Sequence, residues 1–429
     1  MEKLNEDFII NLSNNKGEPL WMKNFRLNSY KKFLELDNPS FGPKINIDFD
    51  NLVYHKGLFA PPSCSWENVD KKVKNTFNDL GVIDAENKYL KGVSNQYESE
   101  VVYHKMEESD GIIFLSTDEA LKKYPELFEK YFNNLVKYDE NKYTALNGAL
   151  WSGGSFIYIP PYTKVDRPLQ SYFRIDTKNL GQFERTIIIV DHDSSLHYIE
   201  GCTAKNYSTT SLHAGVVEIY VGKNSTCKYS TIQNWSKDVY NLVTKRAILE
   251  EGAYMQWVDG NIGSGVTMKY PSCILKGDNS KASSISIAYA KEGQHLDAGA
   301  KMIHLGKNTK STIISKSIAG FGGTSDYRGT VKIAKDATGS FATIKCDNII
   351  LDNISSSNTY PKNIVENNES TLEHEATISK INEEKLNYLM SLGISEDAAK
   401  DLYVLGFMSD FKKSLPMEYA VELNRLIKE

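Results

Sequence analysis

Gly215-Val216-Val217-Glu218-Ile219-Tyr220-Val221 is followed, after Gly222, Asn224 and Ser225, by Tyr229-Ser230-Thr231-Ile232-Gln233. These are two β-branched and aromatic runs separated by residues that favour turns. The texture extends both ways: Thr186-Ile187-Ile188-Ile189-Val190 precedes them, and Thr312-Ile313-Ile314-Ser315 and Thr330-Val331-Lys332-Ile333 come after. Between about 146 and 362 such runs recur at roughly ten- to fifteen-residue intervals, with no strong helical pattern between them. The middle of the chain is therefore expected to be all β. A sandwich and a β-helix of stacked coils both suit many short strands with Gly at successive turns, and with no crisp fixed-length repeat the periodicity favours the β-helix only slightly.

The flanks read differently. From residue 1 to about 145, Trp21, Phe25, Leu27 and Phe33 interleave with Lys and Arg, and Ala120-Leu121 through Leu135 repeat apolar residues every three to four positions, which predicts helices. Pro61-Pro62-Ser63-Cys64-Ser65-Trp66 interrupts them as a loop, because consecutive prolines cannot continue a helix. After Pro361 helices are expected again. Glu383-Glu384 lead Leu386, Leu389 and Met390, Gly393 supplies a stop, Ser395 an N-cap, and Leu415-Pro416-Met417-Glu418 opens a last helix carrying Tyr419, Leu423 and Leu426. The expected division is 1–145 helical or mixed, 146–362 β, and 363–429 helical. The last part is too small to bury much alone, so its apolar faces must pack on the β region or on another protein.

At 429 residues with 41% hydrophobic composition and a net charge of −5, the chain has ample core and no basic surface suited to nucleic acid or to an anionic membrane. Protein partners are expected. The five cysteines, at 64, 202, 227, 273 and 346, have no CxxC spacing, which argues against a disulfide framework and a four-cysteine zinc site and favours a reducing cytoplasm. The first residues hold no apolar leader, and no run of 18 apolar residues occurs.

The chemistry-bearing residues are Cys202 in Ile199-Glu200-Gly201-Cys202-Thr203, Cys346 in Lys345-Cys346-Asp347, and Glu373-His374-Glu375. Soft thiolates beside carboxylate and imidazole suit iron and sulfide. The plainer reading of each cysteine is a buried, inert thiol, which applies equally to Cys227 and Cys273. On an extended segment Glu373 and Glu375 share one face while His374 opposes them, and on a helix all three spread around the axis, so they need not converge on one ion. Arg174, Lys245-Arg246 and Gln233-Asn234-Trp235 would form a polar lane if they point into a β-helix bore and ordinary surface if they point out. His295, Asp297 and His304 form a weaker metal-triad candidate. GxGxxG after a strand, GxxxxGK and GxSxG are all missing, so nucleotide hydrolysis and serine chemistry have no support here.

Several long segments carry a resemblance: Gln233-Asn234-Trp235, Val243-Thr244-Lys245-Arg246-Ala247, Lys269-Tyr270-Pro271-Ser272-Cys273, Lys301-Met302-Ile303-His304, Ser311-Thr312-Ile313-Ile314-Ser315-Lys316, Tyr327-Arg328-Gly329, Leu372-Glu373-His374-Glu375-Ala376 and Leu415-Pro416-Met417-Glu418. From Trp21-Met22 onward the chain resembles the SufB/SufD family of iron–sulfur cluster assembly proteins. The Glu-His-Glu-Ala and Leu-Pro-Met-Glu segments are similar to the SufB branch rather than to SufD. The resemblance implies a right-handed parallel β-helix core flanked by N- and C-terminal helical domains, and a scaffold rather than an enzyme, with ATP hydrolysis in a SufC-type partner. It implies sulfur acceptance at Cys202, and cluster assembly at Cys346 with Glu373, His374 and Glu375, Glu375 being the favoured iron ligand. A sulfur passage would be lined by Arg174, Gln233, Trp235 and Lys245, and a docking segment would include Leu415, Pro416 and Met417. The partners implied are the SufC-type ATPase, a SufD-type paralogue or a second copy of this chain, and a cysteine desulfurase with its sulfur carrier. The cargo is a transient iron–sulfur cluster, with reduced flavin as an electron source at the level of the complex. Asp176 stands where relatives often have Asn, and its charge would oppose sulfide passage unless Arg174 neutralises it.

Two rival readings follow from the same residues. A polysaccharide-processing β-helix would use paired carboxylates, but such proteins are normally secreted. The nearer rival is a SufD-like structural partner that carries no sulfur, against which stand Cys202, Cys346 and Glu373-His374-Glu375 together.

Overall fold

A computed structural model describes residues 3–409 and 411, except 58, 81, 108–110 and 206–209. Its centre is a parallel β-solenoid of about 8 turns, and the chain is mainly β, with 43% strand against 23% helix. Each coil contributes to two facing sheets. The first sheet stacks, in order, Leu169–Ile175, Ser195–Ala204, Thr226–Trp235, Tyr254–Gly263, Lys281–Ala290, Lys310–Ala319, Phe341–Ile350 and Thr371–Lys380, every neighbouring pair parallel. The facing sheet includes Arg185–Val190, Val216–Val221, Val239–Leu249, His295–His304, Thr324–Ile333 and Ser356–Val365. The runs that opened the sequence reading fall on these strands.

The coils stay in register through one column of turn residues. Asp193, Asn224, Gly252, Asn279, Asn308 and Gly339 all adopt positive φ, between 54° and 69°, a region open to glycine and tolerated by Asn and Asp. The N–H of each of the first five donates to the coil above, as in Asn224 N–H to Glu251 O at 2.9 Å and Asn308 N–H to Thr338 O at 2.9 Å. These turn residues are spaced 31, 28, 27, 29 and 31 positions apart. A coil length that varies by up to four residues explains why the sequence shows no fixed repeat.

Alternation along each strand builds the interior. Tyr198, Tyr229, Trp257, Ile313 and Ile344 point inward from the first sheet and meet Val217, Ala247, Cys273, Met302 and Val331 from the second. On the outer face of the first sheet, Ile232, Val258, Ile287, Ile318 and Ile349 are covered by the C-terminal helices through Ala399, Val404, Met408 and Phe411.

Strands extend beyond 146–362 at both ends. Gly92–Tyr97 and Glu100–Met106 form an antiparallel pair that joins the first sheet, Ile113–Ser116 joins the second, and the last two strands run to Val365 and Lys380. The helix Lys142–Leu150 likewise crosses the expected boundary at 145. At the C-terminal end the reason is exposure: Ser356–Val365 and Thr371–Lys380 are the sheet edges and are mostly solvent-facing, so they lack the apolar alternation that marks a strand in sequence.

The N-terminal helices Glu6–Lys16 and Leu20–Glu35 pack with Lys142–Leu150 against the second sheet. Pro61-Pro62 lies in a loop as expected. At the C-terminus, Glu383–Ser391 ends just before Gly393 at φ 86°, and Ser395 caps Glu396–Phe407 by accepting from Ala398 N–H. Leu415, Pro416 and Met417, with the rest of the expected last helix, lie outside the described residues. No helix among the described residues is long and apolar enough to cross a membrane.

Candidate functional site

Cys202 sits on Ser195–Ala204, whose inward positions are Leu196, Tyr198, Glu200 and Cys202. It is 1% exposed. Its Sγ lies 3.7 Å from Glu200 Oε1, the oxygen that also accepts from Lys245 Nζ at 3.0 Å and Thr231 Oγ1 at 3.4 Å; the Tyr229 hydroxyl donates to the other oxygen. Burial and the Glu200 charge push the Cys202 thiol well above its ordinary range, with Lys245 opposing them. Glu200 is itself held low, because Lys245 and Tyr229 outweigh its burial. Lys245 is raised, its own burial being outweighed by Glu200 and Asp259.

From this cluster a buried polar network continues along the bore. Lys269 Nζ reaches Asp259 Oδ1 at 2.8 Å and Gln233 Oε1 at 3.1 Å; Asn241 Nδ2 donates to the same Gln233 oxygen at 2.8 Å, and Asn241 Oδ1 faces His213 Nδ1 at 2.9 Å. Burial pulls His213 down to about 4, so the ring is neutral near pH 7. Beside it Glu184 is raised to about 8 by burial and by Glu200, which favours its neutral form. Among the described residues, Gln233 Nε2 and Trp235 Nε1 are buried donors with no acceptor. Two unsatisfied N–H groups beside a thiol suit an anion on that sulfur.

Register links the Cys202 cluster to Cys346 through Glu200, two residues before Cys202. Successive parallel pairs align Glu200 with Thr231, Thr231 with Asp259, Asp259 with Ser286, Ser286 with Ser315, and Ser315 with Cys346. One unbroken file of carboxylates and hydroxyls thus leads from the Cys202 cluster to Cys346. At the usual inter-strand spacing the five steps span roughly 24 Å. The Ser286 and Ser315 hydroxyls are 3.3 Å apart. Cys346 is fully buried, burial and Asp347 raising its thiol to about 12 while the Tyr327 hydroxyl opposes them.

The acidic segment divides as an extended strand must. On Thr371–Lys380, Ala376 aligns with Cys346, His374 with Ile344, and Glu375 with Lys345. His374 therefore shares the inward face with Cys346. It bonds Asn363 at 3.0 Å through Nδ1, while its Nε2 has no partner among the described residues. Glu373 and Glu375 are on the opposite, exposed face, Glu375 lying 3.7 Å from Lys345 Nζ. The structure brings His374 to the side of Cys346 and does not bring the two glutamates there. No group of three or more His, Cys, Asp or Glu among the described residues is arranged to hold a metal ion.

Of the expected passage residues, Gln233, Trp235 and Lys245 point inward and Arg174 does not. Its neighbours Phe173 and Ile175 take the interior positions, while Arg174 lies outside, paired with Asp176 at 2.7 Å and with Thr203 Oγ1 at 3.0 Å. Asp176 is neutralised as its neighbour suggested, but outside the bore. Arg246 also faces out, onto Glu140. His295 bonds Asp326, Asp297 bonds Arg328, and His304 bonds Thr309 and Ser311, so those three do not converge. Cys227 and Cys273 belong to the apolar core, as the plainer reading had it. Glu184, Glu200, Thr231, Asp259 and Lys269 escape the sequence reading. Their signal is their spacing: Glu200 stands two before Cys202 and Thr231 two before Gln233, the period of one strand face.

A family model described as "SUF system FeS cluster assembly, SufBD core domain" matches residues 173–407, and one described as "SufBD protein N-terminal region" matches 69–171. The chain belongs to the SufB/SufD family, on its SufB side. It is 53% identical to the iron-sulfur cluster assembly protein SufB of Bacillus subtilis, over 99% of this chain and 92% of that protein. It is 54% identical, with the same coverage, to iron-sulfur cluster assembly SufBD family proteins of Staphylococcus saprophyticus and Staphylococcus aureus. The resemblance carried by the quoted segments thus extends over almost the whole chain, and the SUF system is its setting.

Proposed function

We propose that this chain is the scaffold on which sulfur is received and an iron–sulfur cluster is built as cargo. Cys202 accepts sulfur as a persulfide, the file through Thr231, Asp259, Ser286 and Ser315 conducts it, and Cys346 with His374 receives it. The observation that carries this reading is the register itself, which links Glu200, two residues before Cys202, to Cys346 by a file of buried polar side chains. Lys245 and Lys269 lie against this file and offset negative charge on travelling sulfur, where a low dielectric makes each cation count. Glu373 and Glu375 join as ligands only if the edge strand rearranges or a partner completes the site.

Partners follow from what the chain leaves open. The edge strands Ser356–Val365 and Thr371–Lys380 present unpaired backbone groups that a SufD-type paralogue or a second copy would continue. A SufC-type ATPase docks on the C-terminal helices and on Leu415, Pro416 and Met417, supplying energy that this chain has no phosphate loop to release. A cysteine desulfurase with its carrier supplies sulfur in the cytoplasm, and a reduced flavin in the complex supplies electrons. The proposed division of labour keeps 1–145 as support, 146–362 as sulfur path and 363–429 as docking region, with His374 of the edge strand completing the end of the path.

The test separates the two cysteines. Radiolabelled sulfur should fail to load onto Cys202→Ser, whereas Cys346→Ser should load and then fail to mature a cluster, because nucleophilicity is needed at entry and soft ligation at the end. Equal loading of Cys202→Ser and the unsubstituted protein would overturn the entry assignment.

A further inference from the structure

A thiol that is 1% exposed cannot meet a donor protein without a mouth. The strand positions beyond Cys202 lead to one: a cleft of about 430 Å³ whose lining includes Arg174, Thr203, Asn234, Trp235, Lys237 and Lys291. Trp235 belongs both to this lining and to the interior cluster that holds Cys202 and Phe173. The end of Thr226–Trp235 therefore stands between cleft and thiol, with the Trp235 ring on the bore side, 4.8 Å from that of His213. The remaining lining residues are Leu80, Ala204, Ser236, Ile262, Gly263, Tyr289 and Gln294, so among the described residues three cations and no carboxylate line the cleft. Asp176, behind Arg174, neutralises one of them. Lys237 is exposed, and Lys291 lies 5.0 Å over the Tyr289 ring.

We propose that this cleft is the docking mouth for a persulfide-bearing protein segment with acidic flanks, and that Trp235 is the gating residue between it and Cys202. The proposal rests on the reading of Cys202 as the acceptor and adds the place and charge of the donor. It also gives Arg174 a position: at the mouth rather than in the bore. Cationic lining attracts an acidic segment and raises its encounter rate. The transfer balances without an added oxidant. The Cys202 proton passes to Glu200, the thiolate attacks the terminal sulfur of the donor persulfide, the donor S–S bond breaks, and its electron pair leaves on the donor thiolate, which takes up the proton. One sulfur atom moves with its oxidation state unchanged.

The test uses the protein in complex with its co-purifying partners and two synthetic cysteine-persulfide peptides, one with acidic and one with neutral flanks, labelled at the terminal sulfur. The charge-reversed double variant Lys237→Glu/Lys291→Glu should load from the acidic peptide about tenfold more slowly at low salt, the gap closing as salt rises. Loading from the neutral peptide should not change. Lys281→Glu/Lys310→Glu, a pair aligned at the opposite end of the strands, is the charge-matched control and should behave as the unsubstituted protein. Equal rates for the double variant and the control with the acidic peptide would overturn the cleft, as would equal slowing with both peptides. Label reaching Cys202→Ser as well as the unsubstituted protein would instead sink the acceptor reading, and the mouth with it.

Discussion

Glu200 and Cys202 stand two residues apart on one inward strand face, with Glu200 Oε1 3.7 Å from the Cys202 sulfur and 3.0 Å from Lys245 Nζ. The carboxylate therefore serves two masters. It is the counter-ion of a buried cation and the nearest proton acceptor to a thiol whose burial favours the neutral form.

Glu200→Gln separates those roles. Removing the charge takes away one cause of the raised Cys202 titration, so the thiol should titrate lower than in the unsubstituted protein. It also leaves Lys245 buried without its carboxylate, and breaking a buried pair costs about 3–5 kcal/mol. Urea unfolding should show the loss of stability, and the pH dependence of persulfide loading should shift to lower pH with a reduced maximal rate. An unchanged pH profile would show that Glu200 acts only as a counter-ion.

Ser286 and Ser315 are the hydroxyl steps nearest Cys346 in the file, and neither approaches Cys202 in register. The double variant Ser286→Ala/Ser315→Ala should load Cys202 at the normal rate yet deliver less sulfur to Cys346, read as a fall in sulfide per chain after reconstitution. Each lost hydroxyl bond is worth about 1 kcal/mol, so the fold should persist. Normal delivery would mean that sulfur takes another route.

Much of this was legible in sequence, for definable reasons. The β texture of Thr186–Val190 and Val216–Val221 announced strands because both faces are buried there, and the Ser395 cap announced its helix. For Glu373-His374-Glu375, which lay in a region expected to be helical, the sequence left extended and helical segments open, and the strand puts His374 opposite the glutamates. The solenoid itself was nearly invisible, since its turn column at Asp193, Asn224, Gly252, Asn279, Asn308 and Gly339 keeps its geometry while its spacing drifts. Strands at the sheet edge hid behind their exposure. Arg174 was assigned to the passage by resemblance while its direction stayed open in sequence, because direction turns on strand register, which the placement of Phe173 and Ile175 in the core decides. The polar file was hidden for a related reason: its members are far apart in the chain and meet only when coils stack.

Glu184 sets a pH dependence. Its carboxyl is raised from an ordinary value near 4.5 to about 8, first by burial and then by Glu200. A raised folded value means that the folded state holds a proton the unfolded state releases. The stability it contributes is thus complete below about pH 4.5 and is lost as pH rises through about 8. Glu184→Gln, a neutral mimic of the protonated side chain, should flatten the fall in urea-unfolding stability between pH 5 and 8 and leave the variant the more stable of the two at the alkaline end. The falling limb below pH 6 from His213 and His304, both pulled to about 4 by burial, should remain in both proteins. A fall between pH 5 and 8 as steep in the variant as in the unsubstituted protein would place its cause elsewhere.

The C-terminal helices offer the last prediction. Val404, Met408 and Phe411 turn inward onto Ile232, Val258 and Ile287, which fixes which face is spent on the solenoid. Tyr388, Leu392 and Leu402 remain 65%, 61% and 48% exposed, an apolar set on and just after a pair of short helices, not covered by the described residues. If the ATPase docks there, Leu392→Ser/Leu402→Ser should abolish or strongly weaken its co-purification. Because both side chains face solvent, the substitutions should change folding stability by less than about 0.5 kcal/mol. Substituting Val404→Ser instead should destabilise the protein, since it strips an apolar contact from the solenoid face. Retained ATPase binding by Leu392→Ser/Leu402→Ser, with circular dichroism and urea unfolding unchanged, would move the docking surface away from these helices.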